Sequence, residues 1–242
     1  MYKALGQLGQ LGPTKHPYEI IAIDNVGGFK DRKSKQNYLH IAIDAFTRHV
    51  WIKTSITQNA KDFIRFLRSV KQDCRFNYVL CNLYGGINSG KFKQFLEENN
   101  VTPIFTTPDA AQSNGLIERV NQTLSNKIRC IYFEENYSKV WSIIAHQAVK
   151  KYNLIPHSVT GYPPAYLLNG QQMETSIDEN PYEPIDQARR IAFDRSQNYH
   201  KANKKYYDTK RLNPEFQVDE LVYIKNKNHI TRKKTEIVYK GP

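Results

Sequence analysis

Two carboxylates and one amide are the residues whose chemistry and spacing invite a functional reading: Asp24, Glu118 and, between them, Asn82, with 35 residues separating Asn82 from Glu118. Asp24 is expected to end the first strand, in the apolar run EIIAIDNVGG, where an unpaired charge is expensive. Glu118 falls in the first turn of a helical pattern that begins near Asn114-Gly115. Carboxylates that strand ends and a helix start bring to one spot bind divalent cations through oxygen, and such cations can serve phosphoryl chemistry. Each acid also has a structural reading. Asp24 can cap the turn after its strand, and Glu118 can favour the helix dipole. Asn82 offers one neutral carbonyl oxygen where a carboxylate offers two oxygens and a full charge.

The elements that must position these residues follow from hydrophobic period. EIIAIDNVGG predicts a buried strand, and Tyr38 to Ile43 and Val50 to Ile52 predict two more around a turn at Asp44 to Arg48. NAKDFIRFLRSVKQD places Ala60, Phe63, Ile64, Leu67 and Val70 at helical spacing, with Asn59 as N-cap. YVLCNL is a fourth strand, GKFKQFLEENN a helix and VTPIFTT a fifth strand. A long helix runs through Leu116, Val120, Leu124, Ile128 and Ile131, and another spans Val140 to Tyr152. GYPPAYLLNG is expected as a Pro-rich corner, and Trp51 and Trp141 as core residues. This order predicts an α/β fold with a mixed five-stranded sheet and flanking helices.

Composition narrows the partners. The 242 residues carry 35 Lys and Arg against 23 Asp and Glu, a formal charge of +12, which points to an acidic partner and first of all to nucleic acid. No apolar stretch is long enough to cross a membrane, so no membrane partner is expected. Cys74, Cys81 and Cys130 form no C-x-x-C pair, so neither a disulfide framework nor zinc is expected. The segment ETSIDENPYEP at 174–184 reads as a linker. Beyond it, residues 185–242 carry 14 Lys and Arg against 7 Asp and Glu, opening with a basic helix that contains Arg189, Arg190, Arg195, Lys201, Lys204 and Lys205. Such a helix binds phosphates without reading sequence, unless it is merely a solvated surface.

Taken together, IIAIDNVGGF, YLHIAIDAFTRHVWI, INSGKFKQFLEENNV, TTPDAAQSNGLIERVNQTL and HSVTGYPPAYLLNG resemble the catalytic core of retroviral and gypsy-like LTR-retrotransposon integrases. The resemblance runs from about Tyr18 to Gly170, and QSNGLIERVNQTL is its most specific piece. It implies a ribonuclease-H-like core over 18–173, a lead-in over 1–17, the linker at 174–184, and a basic helix with the start of a truncated SH3-like module over 185–242. It further implies a catalytic and metal-binding triad at Asp24, Asn82 and Glu118, loaded with Mg2+ or Mn2+.

Asn82 stands where that family has its second Asp. Asn82-Leu83-Tyr84 replaces the family's Asp-x-Gly, Ile87 its Phe, and Asp109-Ala110-Ala111 its Tyr-x-Pro. Asp44 in the hairpin turn and Asp109 on the loop are the substitutes to weigh for the missing acid. By the same resemblance Gln112, Asn114, Asn121 and Lys127 approach DNA, with Arg119 beside the active site; ordinary solvated helix charges are the alternative for Arg119 and Lys127. The family's His2Cys2 zinc domain has no counterpart, and the tail stops at Lys240-Gly241-Pro242, so the chain reads as a fragment or decayed copy of a longer Pol polyprotein. The implied activity is 3′-end processing and strand transfer on element ends and target DNA, by a homo-oligomer in the nucleus, with chemistry impaired by Asn82. The alternative is an inactive DNA-binding or oligomerising module of the same ancestry. A ribonuclease-H-like nuclease also needs a full acidic set, and the Gln-x-Asn-Gly-x-x-Glu-Arg stretch points away from it.

Overall fold

The computed structural model describes residues 4–5, 12–29, 33–73, 75–82, 86–106, 115–136, 138–172, 182–212, 215, 217–221, 224–225 and 239–240. In chain order the elements are β1 (Ala4–Leu5), β2 (Ile20–Gly27), β3 (Tyr38–Asp44), β4 (Val50–Ser55), α1 (Ala60–Asp73), β5 (Tyr78–Cys81), α2 (Gly90–Glu98), β6 (Thr102–Phe105), α3 (Gly115–Glu134), α4 (Trp141–Leu154), α5 (Pro164–Asn169), α6 (Ile185–Asp208), β7 (Arg211–Leu212), β8 (Ile224–Lys225) and β9 (Tyr239–Lys240). Two compact units result, Gln10–Asn203 and Met1–Gly9 with Lys204–Pro242. In the second, β1 pairs in parallel with β7, and β8 pairs antiparallel with β9.

The larger unit is built on a five-stranded sheet of order β4-β3-β2-β5-β6. The hairpin-linked strands β2, β3 and β4 are antiparallel, while β2, β5 and β6, joined through helices, are parallel. Strand alternation divides its side chains between two layers. Ile21, Ile23, Val79 and Cys81 meet Phe63, Phe66, Leu67 and Phe92 of α1 and α2. Ile20, Ala22, Ile41 and Leu80 meet Ile117, Val120, Leu124 and Ile144 of α3 and α4 on the other face. A fully buried Phe or Ile contributes about 1.5–3 kcal/mol relative to exposure, so these two layers carry the fold.

Local chemistry sets the element ends. Asn59 Oδ1 accepts from the Asp62 amide at 3.1 Å, the expected cap of α1. Ser89 does the same for α2, accepting from Phe92 at 3.3 Å. In the β3–β4 turn, Asp44 Oδ1 accepts from the amides of Phe46 and Thr47 and from the Thr47 hydroxyl. Its Oδ2 accepts from the Tyr18 amide at 2.7 Å. This fully engaged, buried carboxylate is a turn clamp and does not replace a missing active-site acid.

Three expectations need correction. The Pro-rich corner is in fact the helix α5, because Pro164 presets its first turn and Gly170, at φ +78°, ends it in the left-handed conformation. Asp24 does not end its strand; β2 continues to Gly27, which removes the turn-capping reading. Trp141 is buried and donates to the Gln36 carbonyl at 3.0 Å, but Trp51 is only half-buried, lying between Tyr18 and His49. The linker expected at 174–184 lies outside the described residues up to position 181. Past that point Tyr162 donates its hydroxyl to Glu183 Oε2 at 2.8 Å and Tyr166 donates to the Glu183 carbonyl.

Candidate active site

Face parity explains which residues meet. Asp24 follows Ala22 by two positions on β2, so its side chain points toward the α3–α4 layer. On β5, Leu80 points the same way, and Asn82, two residues on, shares its face. The parallel register pairs Ile23 with Cys81, so the next step places Asp24 beside Asn82. On β6, Ile104 also belongs to this face, and Thr106 follows it by two. The Thr106 hydroxyl accordingly donates to Asn82 Oδ1 at 2.7 Å.

Helix α3 supplies the third side. Its buried stripe of Ile117, Val120, Leu124 and Ile128 packs on the sheet, and the 118/121 pair lies beside it at i, i+3 spacing. Asn121 Nδ2 donates to Asp24 Oδ2 at 2.7 Å. Glu118 is exposed, yet its charge acts on Asp24. Burial holds the Asp24 carboxyl above its ordinary pKa; hydrogen bonds from the Asn25 backbone and Asn121 oppose the rise, and Glu118 adds to it.

Two acids, one of which raises the proton affinity of Asp24 through its charge, with neutral oxygens beside them, form a donor set that fits a divalent cation. Asn82 Oδ1 is one such oxygen. Asn121 Oδ1, buried and without a hydrogen-bond partner, is another. The set is short of charge, since no group of three or more His, Cys, Asp or Glu able to hold a metal occurs among the described residues. A site for two cations would need the third carboxylate that Asn82 does not provide.

The structure therefore brings Asp24 and Asn82 together on one face and sets Glu118 within electrostatic reach. Asn121, expected at DNA, is also the hydrogen-bond partner that orients Asp24. Arg119 donates to the Tyr199 hydroxyl at 3.1 Å. Lys127 lies half-buried on α3. On α6, Arg189 donates to the Leu167 and Leu168 carbonyls at 2.9 and 2.8 Å, capping α5, and Lys204 pairs with Asp208 at 3.0 Å. Arg190 and Lys205 are exposed. Asp109, Gln112 and Asn114 lie outside the described residues. The reading from sequence missed Thr106 and the coupling of Asn121 to Asp24; the i, i+3 spacing of Glu118 and Asn121 was the available signal.

A five-stranded mixed sheet with this strand order and flanking helices is the ribonuclease-H-like fold found in integrase catalytic cores. Solved structures agree on the fold. The chain is similar to one in the simian T-cell lymphotropic virus intasome in complex with PP2A regulatory subunit B56 gamma, with a TM-score of 0.62 and 17% identity over 76% of this chain and 65% of that one. It is also similar to the HTLV-2 integrase catalytic core domain in complex with magnesium in its dimeric form, with a TM-score of 0.52 and 18% identity over 62% and 95%.

No family model matches the chain. Among curated proteins, the Tf2-3 and Tf2-4 transposon polyproteins of Schizosaccharomyces pombe are each 26% identical over 99% of this chain, which spans 18% of their length. Together these likenesses bear out the resemblance: over nearly its whole length the chain is similar to a segment of retrotransposon polyproteins, and its fold is that of retroviral integrase catalytic cores.

Proposed function

We propose that this region binds DNA as an integrase core whose 3′-end processing and strand transfer are impaired by Asn82. The observation that carries the reading is the neutral Asn82 amide, satisfied by Thr106, on the same sheet face as Asp24. Asp24 and Glu118 would hold Mg2+ or Mn2+, which supplies Lewis-acid stabilisation of phosphoryl oxygens when bound. Asn121 fixes the Asp24 carboxylate, and Thr106 fixes the Asn82 side chain. The formal charge of +12 supports an interaction with element ends and target DNA. The similar chains come from an intasome and from a dimeric catalytic core, which supports assembly as a homo-oligomer. A chromosomal target implies the nucleus. Residues 185–242 then supply the basic helix and the start of an SH3-like DNA-binding module.

The test compares the parent chain with Asn82→Asp for 3′-end processing and strand transfer in Mn2+, recording DNA binding in the same samples. Thr106 can donate to the new carboxylate as it does to the amide, so the substitution fits the site. The expected outcome is at least about a tenfold gain in strand transfer, which corresponds to about 1.4 kcal/mol at the transition state. A parent already active, and silenced by Glu118→Gln, would show that Asn82 is no lesion. The second reading, a binding module without chemistry, rests on the missing third carboxylate; silence from every variant with salt-sensitive DNA binding retained would establish it.

A further inference from the structure

Arg48 closes the β3–β4 turn at φ +69° with only 5% of its surface exposed. Its Nε is buried without a hydrogen-bond partner, and none of the ion pairs among the described residues involves its guanidinium. A buried guanidinium without a hydrogen-bonded counter-ion is among the costliest groups a fold can carry. The acid that acts on it is Asp44, but both oxygens of that carboxylate are already engaged by Tyr18, Phe46 and Thr47.

The surroundings add hydroxyls and a second guanidinium rather than further carboxylates. Tyr152 of α4 has a buried hydroxyl that is likewise without a partner. The His157 ring meets Tyr152 edge-on at 6.5 Å. Tyr199 and His200 of α6 lie within electrostatic reach of Arg48, and Arg119 of α3 holds the Tyr199 hydroxyl. Burial, Arg48 and Arg119 together push the His157 pKa down to about 4, and burial and Arg48 lower that of His200. Positive charge and hydroxyl donors thus converge from several elements, with one carboxylate among them, already satisfied.

The geometry points to a binding site for a compact phosphate-type oxyanion, held by the Arg48 guanidinium and the Tyr152 hydroxyl, with Arg119, Tyr199 and His200 nearby. Arg119 is exposed, and Tyr199 and His200 are half-buried. The planar fork of an arginine suits two oxygens of such an anion. This site is separate from the carboxylates. Asp44 pairs with Ile21 across the sheet, three residues and roughly 10 Å along β2 from Asp24. It does not depend on the proposed DNA chemistry.

The test is thermal unfolding of the 242-residue chain against inorganic phosphate, with ionic strength held constant by chloride. The parent is expected to show a saturable rise in Tm, roughly 3–6 °C at ten times the dissociation constant. Arg48→Met should lose the saturable part, keep only the gradual rise that excluded salts give every protein, and be at least as stable as the parent without phosphate. Tyr152→Phe should fold and bind phosphate about fivefold more weakly, the effect of one hydrogen bond. Short single-stranded oligonucleotides with and without a 5′-phosphate then compete with the ion. Competition by the phosphorylated form alone assigns a terminal phosphate, by both equally a backbone phosphate, and by neither the free ion. A parent without saturable response, or an Arg48→Met variant that responds like the parent, overturns the site. So does a large loss of stability in Arg48→Met without phosphate, together with a Tyr152→Phe response equal to the parent's.

Discussion

Asp24 ionises at a cost. Its folded-state pKa is raised, chiefly by burial, so the folded chain holds that proton more tightly than the unfolded one. The carboxyl therefore favours folding while protonated, and its contribution is lost as pH rises through the folded pKa. Asp24→Asn keeps an acceptor for Asn121 and removes the charge. The variant should match the parent near pH 4 and exceed it by about 1 kcal/mol at pH 7, a usual gain when an active-site charge is removed. Urea unfolding across that range checks this; equal stability of the two chains at every pH would show that the charge is already compensated. Asp24 and Glu118 stood out in the sequence by position, one inside an apolar strand and one in the first turn of a helix. Asp44, which has a similar apolar setting, is nevertheless a turn clamp. The meeting of the site residues was not legible, since it depends on the parity of Asp24, Asn82 and Thr106 on three strands. Arg48 was illegible for a different reason. A basic residue in a hairpin turn reads as solvated, and only the tertiary structure buries it.

Elements with a clean period were legible almost to the residue. The i, i+3, i+4, i+7 stripe of α1 and the β-branched runs of β2 and β3 leave little choice of structure. Helix α5 was hidden by Pro163-Pro164, residues that read as a corner until Gly170 is recognised as the matching C-terminal signal. The edge of the sheet shows another device without a period. Asn153 of α4 accepts from the Val50 amide and donates to the Val50 carbonyl, both at 2.9 Å, and so does for the first residue of edge strand β4 what a neighbouring strand would do. Asn153→Ala leaves both backbone groups buried and unpaired. It should cost about 2–4 kcal/mol in chemical denaturation, with faster hydrogen exchange at Val50. A loss below about 0.5 kcal/mol would mean that water replaces the amide at no cost.

At the scale of the whole molecule, charge is the property most easily read and least easily located. A formal +12 favours a polyanionic partner, as proposed, but does not say which cations are available for it. Packing separates them. Arg189 is committed to the carbonyls that end α5, and Lys204 to Asp208, whereas Arg190 and Lys205 are exposed. Phosphate contacts release counterions, so each one lost reduces the slope of log K against log salt by about 0.9 on duplex DNA. Arg190→Gln and Lys205→Gln should each lower the slope by about that amount, weaken binding alike on unrelated sequences and leave Tm unchanged. Arg189→Gln should do the reverse, keeping the slope while costing about 1–3 kcal/mol of stability through the orphaned α5 carbonyls. Fluorescence anisotropy over a salt series, with Tm measured on the same preparations, separates the two classes. If Arg189→Gln lowered the slope and Arg190→Gln did not, the phosphate-binding face of α6 would be the one that the structure assigns to packing.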